Sequence, residues 1–425
     1  MANTGRVTIN LGDESLTMAN PFIGKQIVLG VTGSIAAYKG AEIASALAQQ
    51  GAVVDTILSN AATRFVAPLT FQSLTGNKAF IDDDLWGGVG HVIHVQIGHR
   101  TDAMLIAPAS ANTIAKLAHG IADNMLTITA LAASCPLVIA PAMDAGMFSH
   151  PATQENIRVL KERGAIIIGP EEGHLASGLV GPGRMTPPGE IVRELRWLLA
   201  RDGPLQGKKI IVSAGGTREA IDPVRYISNR SSGKQGYAIA QAALDMGGSV
   251  TLISTPASQA IPKGCKFVLV ESADEMGKAV LQEIESSDAL VMAAAVADFR
   301  PAHYEDEKIK KDIGLQKIDL APTTDILLEV ARIKDKKKLN LKIIGFAAES
   351  QNMKTNAAKK MTAKSMDMIA ANNITEPDAG FGGDTNKVML IFSDGSTESL
   401  PLMKKSEVAE IIVQNLISWL AEGAA

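Results

Sequence analysis

Apolar positions in this chain fall in short unbroken blocks, separated by stretches in which they recur every three or four residues. In the first half, blocks at 27–31, 53–58, 103–107, 137–140 and 165–168 alternate with helical stretches near 35–50, 111–133 and 153–163. Blocks of this length between helices predict strands buried on both faces, hence a parallel sheet covered on both sides. A last helix over 188–201 leads into the short linker Arg201-Asp202-Gly203-Pro204-Leu205-Gln206-Gly207. The pattern then starts again. Strands near 209–214, 249–254, 266–270, 288–294, 341–346, 367–371 and 387–392 alternate mainly with helices near 235–247, 273–286, 324–333, 353–364 and 403–420.

Both halves open alike: Gly24-Lys25-Gln26-Ile27-Val28-Leu29-Gly30-Val31-Thr32-Gly33-Ser34 aligns without a gap to Gly207-Lys208-Lys209-Ile210-Ile211-Val212-Ser213-Ala214-Gly215-Gly216-Thr217. Strand, glycine turn and helix in that order form the first unit of a doubly wound sheet. The predicted class is therefore α/β, with two doubly wound, mainly parallel-sheet domains. A boundary near 203 gives a tail over 1–20, a first domain over 21–202 and a second over 203–425. Residues 298–318 are charged and irregular, a candidate lid or binding loop.

Composition supports this class and narrows the function. The chain has 425 residues, 46% apolar but only 4% aromatic, which suits Ala/Val/Ile layers of helix on sheet. The net charge of −4 gives no overall field for nucleic acid, so basic residues must act locally. Cys135 and Cys265 are too few for a disulfide framework, which points to a reducing compartment, the cytoplasm. The longest apolar run, Ala289 to Ala297, is far short of a membrane span. Residues 1–20 read as a polar tail, with Met18 an alternative start.

Candidate chemistry sits in the turns after strands. Gly215 to Lys234 combines a glycine turn, three arginines, a lysine and Asn229 directly after an apolar block, a segment suited to anionic groups. Gly33-Ser34 at the start of the first helix suits a phosphate monoester, although a serine helix cap explains it equally well. Pro108-Ala109-Ser110-Ala111-Asn112-Thr113 and Pro141-Ala142-Met143-Asp144 follow two further strands. Ligands of doubly wound sheets collect at the carboxyl ends of strands, so these three turns should border one crevice.

Together these segments match known families. Gly33-Ser34, the Pro108 to Thr113 turn, Pro141-Ala142-Met143 and Gly181-Pro182-Gly183-Arg184-Met185 resemble the flavin-dependent cysteine decarboxylases. Asp222 to Lys234, Ala293-Ala294-Ala295-Val296-Ala297-Asp298, Lys308-Ile309-Lys310-Lys311 and Gly345-Phe346-Ala347-Ala348-Glu349 resemble phosphopantothenate–cysteine ligase. The order of halves is that of the bacterial bifunctional coenzyme A biosynthesis family, and the resemblance runs from about residue 21 to the C-terminus. It implies a flavodoxin-like flavin domain followed by a Rossmann-like nucleotide domain.

For the first half the resemblance implies FMN held by Gly33, Ser34, Ser59, Ser110, Asn112, Thr113, Ala142 and Met143, and oxidative decarboxylation of 4'-phosphopantothenoylcysteine. The family's essential histidine lies eight residues before an aspartate that opens the next strand; here Asp102 places it at His94, with His91 and His99 out of register. An imidazole beside the substrate thiol can accept its proton. Two positions depart from the family pattern. Asp144 stands where an asparagine is implied to meet the substrate carboxylate, and Ser177 stands where a cysteine serves the reductive step. A hydroxyl is a far poorer acid than a thiol of pKa about 8.5. Three readings stay open: Ser177 orients a donor, another group supplies the proton, or turnover stops at the oxidised enethiol.

For the second half the resemblance implies ligation of 4'-phosphopantothenate with cysteine through an acyl-cytidylate formed from CTP. Lys308 and a divalent ion such as Mg2+, held by Asp298, would meet the phosphate charge. Asp298 as a helix cap is the rival reading. Asn229 would donate its amide to the acyl carbonyl, and Phe346 would pack on the base. Lys360 and Lys364 lie four apart on one helical face and would reach phosphates together. Gly216, Thr217, Arg218 and Ala294 complete the substrate set, with Thr324, Asp325, Ile326 and Leu327, where the family's Asn-Pro-Asp-Ile appears as Thr323-Thr324-Asp325-Ile326. The resemblance also implies a homo-oligomer, because flavin sites in the family are shared between subunits. A flavodoxin-like regulatory subunit is the rival from another class. An unrelated dehydrogenase fits poorly, because no complete Gly-x-Gly-x-x-Gly follows either first strand.

Overall fold

The computed structural model describes residues 20–86, 92–310, 317–349, 360–373 and 382–422. The N-terminal tail up to 19, His91, Lys311 and positions 353–359 of the predicted helix lie outside them. The chain divides into two compact units, one over 20–199 and one from 200 onward.

The first unit is built on β1 (Gln26–Val31), β2 (Val53–Leu58), β3 (Ala79–Phe80), β4 (Ala103–Ala109), β5 (Leu137–Pro141) and β6 (Ile166–Ile167), in the spatial order β3-β2-β1-β4-β5-β6. Every pairing is parallel. Side chains alternate across the sheet, so each strand feeds two cores. Leu29, Val31, Leu105 and Ala107 face one, packed with Phe22, Ile43 and Phe71. Val28, Met104 and Ile106 face the other, packed with Ile57, Leu126 and Ile139.

The helices of this unit are α1 (Ala37–Gln49), α2 (Pro68–Thr75), α3 (Ile93–Arg100), α4 (Ala111–His119), α5 (Met125–Ala132), α6 (Ala145–Ser149), α7 (Pro151–Glu162) and α8 (Pro188–Ala200). The single helix expected over 111–133 is two. Gly120 ends α4 in the left-handed conformation, and the Asn124 side chain accepts from Thr127 N to start α5. Beyond β6, β7 (Glu171–His174) and β8 (Val180–Arg184) form an antiparallel hairpin that strand periodicity did not predict, since glycine and proline interrupt it.

The second unit contains β9 (Lys209–Ala214), β10 (Arg218–Ala220), β11 (Tyr226–Ser228), β12 (Ser249–Ser254), β13 (Lys266–Leu269), β14 (Ala289–Met292), β15 (Phe299–Pro301), β16 (Leu320–Pro322), β17 (Lys342–Glu349), β18 (Met368–Asn373), β19 (Thr385–Asn386), β20 (Val388–Phe392), β21 (Thr397–Ser399) and β22 (Met403–Lys404). Its main sheet runs β13-β12-β9-β14-β17-β18-β20-β21, parallel as far as β18 and antiparallel beyond. Described helices include α9 (Lys234–Asp245), α10 (Ala273–Glu283), α11 (Ile326–Lys337) and α12 (Lys405–Glu422). The irregular segment expected over 298–318 is pinned at its ends, because β15 pairs antiparallel with β16.

In each sheet the winding reverses at the first strand, between β1 and β4 and between β9 and β14. Crevices of doubly wound sheets open at such reversals. No described helix is long and apolar enough to cross a membrane.

Candidate functional site

The first crevice is a cavity of about 640 Å³ at the carboxyl ends of β1, β4 and β5, bordered on one side by the β7–β8 hairpin. Its turns are stitched together. Thr32 Oγ1 donates to Pro108 O at 2.7 Å and accepts from Ser110 N at 2.8 Å. Ala142 N donates to Ala109 O, and Met143 N donates to Gly183 O, each at 3.0 Å. Gly33 lies so close to the turn after β2 that a Cβ there would come within 2.4 Å of Ala61 Cβ.

Gly33, Ser34, Ser110, Ala142, Met143, Asp144 and Ser177 all line this cavity. Ser34 does not cap the helix at its N-cap position, which is Ala36; its Oγ accepts from Ala36 N within the turn. Other predicted residues stand behind or beside the lining. Ser59 Oγ accepts from Ala62 N, Thr113 is buried beneath Ser110 with its N–H on Ser110 Oγ, and Asn112 is exposed. His94, half-buried in the first turn of α3, is not among the lining residues.

The cavity also gathers Tyr38, Lys39, His174 and Arg184. None of these four was expected at a site from the sequence, although Arg184 lies inside the Gly181 to Met185 motif. Ser177 Oγ donates to Asp144 Oδ2 at 2.6 Å, and Asp144 Oδ1 accepts from Gly146 N at 2.9 Å. These bonds, the Ser177 hydroxyl first, hold the Asp144 carboxyl below the usual carboxylate range.

The second unit has a cavity of about 680 Å³ lined by Asn229, Ala294–Asp298, Thr323–Leu327, Phe346, Lys360 and Lys364 among others. A smaller one of about 150 Å³, at the start of α9, shares Ala294, Ala295, Phe346 and Ala347 with it. Gly216 bridges to Ala295, and Thr217 Oγ1 accepts from Ala297 N at 2.9 Å, so this pair supports the Ala294–Asp298 turn and does not line the cavity. Arg218 lies with its guanidinium 5.0 Å from the Tyr226 ring centroid, also outside the lining.

The Asn229 amide is oriented by the turn after β14: Nδ2 donates to Ala295 O at 3.2 Å and Val296 O at 3.1 Å. Asp298 is followed by the strand β15, which excludes the helix-cap reading, and its exposed carboxylate lines the cavity. Asp325 caps α11 through Leu328 N and pairs with Lys364 Nζ at 2.7 Å, which neutralises one of the two lysines. Lys308 is exposed and outside the lining; the next residue, Ile309, donates its N–H to Asp222 and accepts from Arg225. Asp222 itself is almost fully buried.

The small cavity adds Lys234 and Lys405, the second from the far end of the chain. Burial, helped by Lys234, pushes the Lys405 ammonium below the ordinary lysine range. Among the described residues no three His, Cys, Asp or Glu side chains gather as metal ligands.

Fold and sites define a flavin-type α/β unit joined in one chain to a nucleotide-type α/β unit. Residues 19–199 match the flavoprotein family, and residues 205–420 match the DNA/pantothenate metabolism flavoprotein C-terminal domain. The coenzyme A biosynthesis bifunctional protein CoaBC of Bacillus subtilis (strain 168) is 45% identical over 395 residues, 92% of this chain and 96% of its own. A cysteine/cysteine sulfinic acid decarboxylase from an unknown prokaryotic organism is 42% identical over 83% of this chain and 99% of its own. The solved C-terminal domain of a CoaBC protein is 38% identical, covers 52% of this chain and 100% of its own, and has a TM-score of 0.45. The chain belongs to the CoaBC family of bifunctional coenzyme A biosynthesis proteins.

Proposed function

We propose that the chain makes 4'-phosphopantetheine in two steps, with a ligase over 203–425 and a decarboxylase over 21–202. In the first step the carboxylate of 4'-phosphopantothenate attacks the α-phosphorus of CTP, and pyrophosphate leaves. The amine of cysteine then attacks the acyl carbonyl, CMP departs, and an amide remains. The 680 Å³ cavity supports this with Phe346 for the base and, for phosphates, Lys360 together with Lys364 once its pair with Asp325 opens. Lys308, on the segment tied to Asp222 and Arg225, meets the charge that builds on the α-phosphate. A magnesium ion arriving on the triphosphate needs only one or two protein carboxylates, and Asp298 is available for that role.

In the second step the first unit decarboxylates 4'-phosphopantothenoylcysteine. The 640 Å³ cavity falls within the range of about 300–1,000 Å³ typical of small-molecule sites. Alanines 36, 111 and 142 leave room for a planar ring system, while Ser34, Ser110, Lys39 and Arg184 provide hydroxyls and positive charge for a phosphate. These features fit FMN. Bound there, the flavin supplies two-electron oxidation and reduction. His94 takes the thiol proton, and because it lies outside the lining of its own copy's cavity we place it at the site of a second copy. Exposed Ile35, Tyr38, Leu69 and Trp86 on the same unit support such a homo-oligomer.

The observation that carries this reading is near full-length kinship at 45% identity, combined with a separate cavity at the winding reversal of each sheet. The test is to supply purified protein with CTP, 4'-phosphopantothenate and cysteine, and to follow CMP and carbon dioxide separately. Both are expected, with carbon dioxide following CMP. Carbon dioxide from cysteine or cysteine sulfinate alone would move the first unit to the activity named for the second relative. Release of neither product would support a regulatory subunit.

A further inference from the structure

The two departures from the decarboxylase pattern are one interaction. Asp144 and Ser177 are 33 residues apart in sequence, yet Ser177 Oγ donates to Asp144 Oδ2 at 2.6 Å across the edge of the cavity. Asparagine and cysteine, which the family resemblance implies at these places, would offer a neutral acceptor and a weak donor. A carboxylate with a hydroxyl makes a charge-assisted bond, roughly twice as strong as a neutral one. The hairpin is anchored differently at its two ends. At the base, Met143 N donates to Gly183 O, and at Gly183 (φ 143°) a Cβ would come within 2.2 Å of Met143 O. At the tip, Leu179 and Val180 are 56% and 68% exposed, so little apolar burial holds the turn down.

We propose that Asp144 and Ser177 form a latch that closes the 175–179 turn over the decarboxylase cavity, with Ser177 a positioning residue and not the proton donor. This rests on the function proposed above. A serine hydroxyl carries one proton, and here it is spent on Asp144. The ionised carboxylate only accepts, and its bonds to Ser177 and Gly146 keep it ionised. The pair therefore presents lone pairs to the cavity and has no proton to give. Its contribution is closure, which holds the substrate and excludes water.

The test compares full-length wild type with Ser177→Ala, Asp144→Ala, the double variant and Ser177→Thr, which keeps the hydroxyl. Hydrogen exchange is read at the Leu175 and Gly178 amides, which are bonded within the turn. Steady-state kinetics and product analysis use 4'-phosphopantothenoylcysteine. The bond is exposed to solvent, so each alanine variant is expected to speed exchange at these amides and raise KM, both by roughly two- to tenfold. The ratio of saturated thiol to enethiol should not move, the double should be no worse than either single, and threonine should restore both readouts. A shift toward enethiol in Ser177→Ala but not in Asp144→Ala would overturn the proposal in favour of an acid role. Unchanged exchange in both alanine variants would also overturn it, since the bond would then hold nothing shut. Absence of carbon dioxide release by wild type would refute the proposed function, while the exchange data would still decide the latch.

Discussion

Individual side chains in this protein act through the backbone they restrain. Asp222 is the clearest case. It accepts from the N–H groups of Val224, Arg225 and Ile309 as well as from the Arg225 side chain. Arg225, followed by these N–H groups, holds its carboxyl far below the usual range. A depressed carboxyl contributes stability that is complete above about pH 4, where unfolded aspartate titrates, and that is lost as the pH falls toward the folded value. Asp222→Asn should therefore be less stable than wild type at neutral pH, with the gap narrowing below about pH 4 in urea unfolding; a gap independent of pH would contradict this. Lys308→Gln should lower ligase turnover by roughly 10²–10³-fold, as removal of a transition-state charge partner does, with carbon dioxide release from 4'-phosphopantothenoylcysteine unchanged. Loss of both activities would mean that the change acts on folding.

Among elements, strands and the turns after them were the most legible, and ribbons the least. β1 and β9 announce themselves as apolar blocks closed by glycine, since a doubly covered strand has no polar face to break its pattern. The β7–β8 hairpin, rich in glycine and charge, carries no such signal and is held by contacts with the Met143 turn. Gly183→Ala tests that hold. A Cβ pressed on Met143 O in a backbone conformation that L side chains rarely adopt should cost about 1–3 kcal/mol. Urea denaturation and flavin retention would both report it, and wild-type values in both would show that the hairpin base yields freely. The α4–α5 break was hidden because Ala, Leu and Ile continue through it, although Gly120 and Asn124 were there to mark it.

For the molecule as a whole, the division of labour between two sheets leads to a prediction about assembly. With His94 outside the lining of its own cavity, dilution that dissociates the proposed homo-oligomer should lower decarboxylation and flavin retention together while ligation is unaffected by loss of that histidine. Gel filtration coupled to absorbance of the flavin would follow this; a monomer that keeps its flavin and full carbon dioxide release would rule out a shared site. The candidate residues divide in the same spirit. Ser110, Met143 and Asp298 could be named because each comes after a strand end, where a doubly wound sheet opens its crevice; Phe346, inside β17, was named from the family resemblance alone. Lys405 could not, since it reaches the small cavity from the last helix, far from any motif.

Strand blocks, helix periods and turn residues are local properties, written into neighbouring positions, and they were enough to establish two mainly parallel sheets and the turns where chemistry gathers. The Ser177–Asp144 bond, the Lys364–Asp325 pair and the bonds of the Asn229 amide to Ala295 and Val296 are not local. Each depends on which distant segments the packing of helices and sheet brings within hydrogen-bond distance. A proton's direction and a charge's partner follow from that geometry, and no spacing along the chain encodes them.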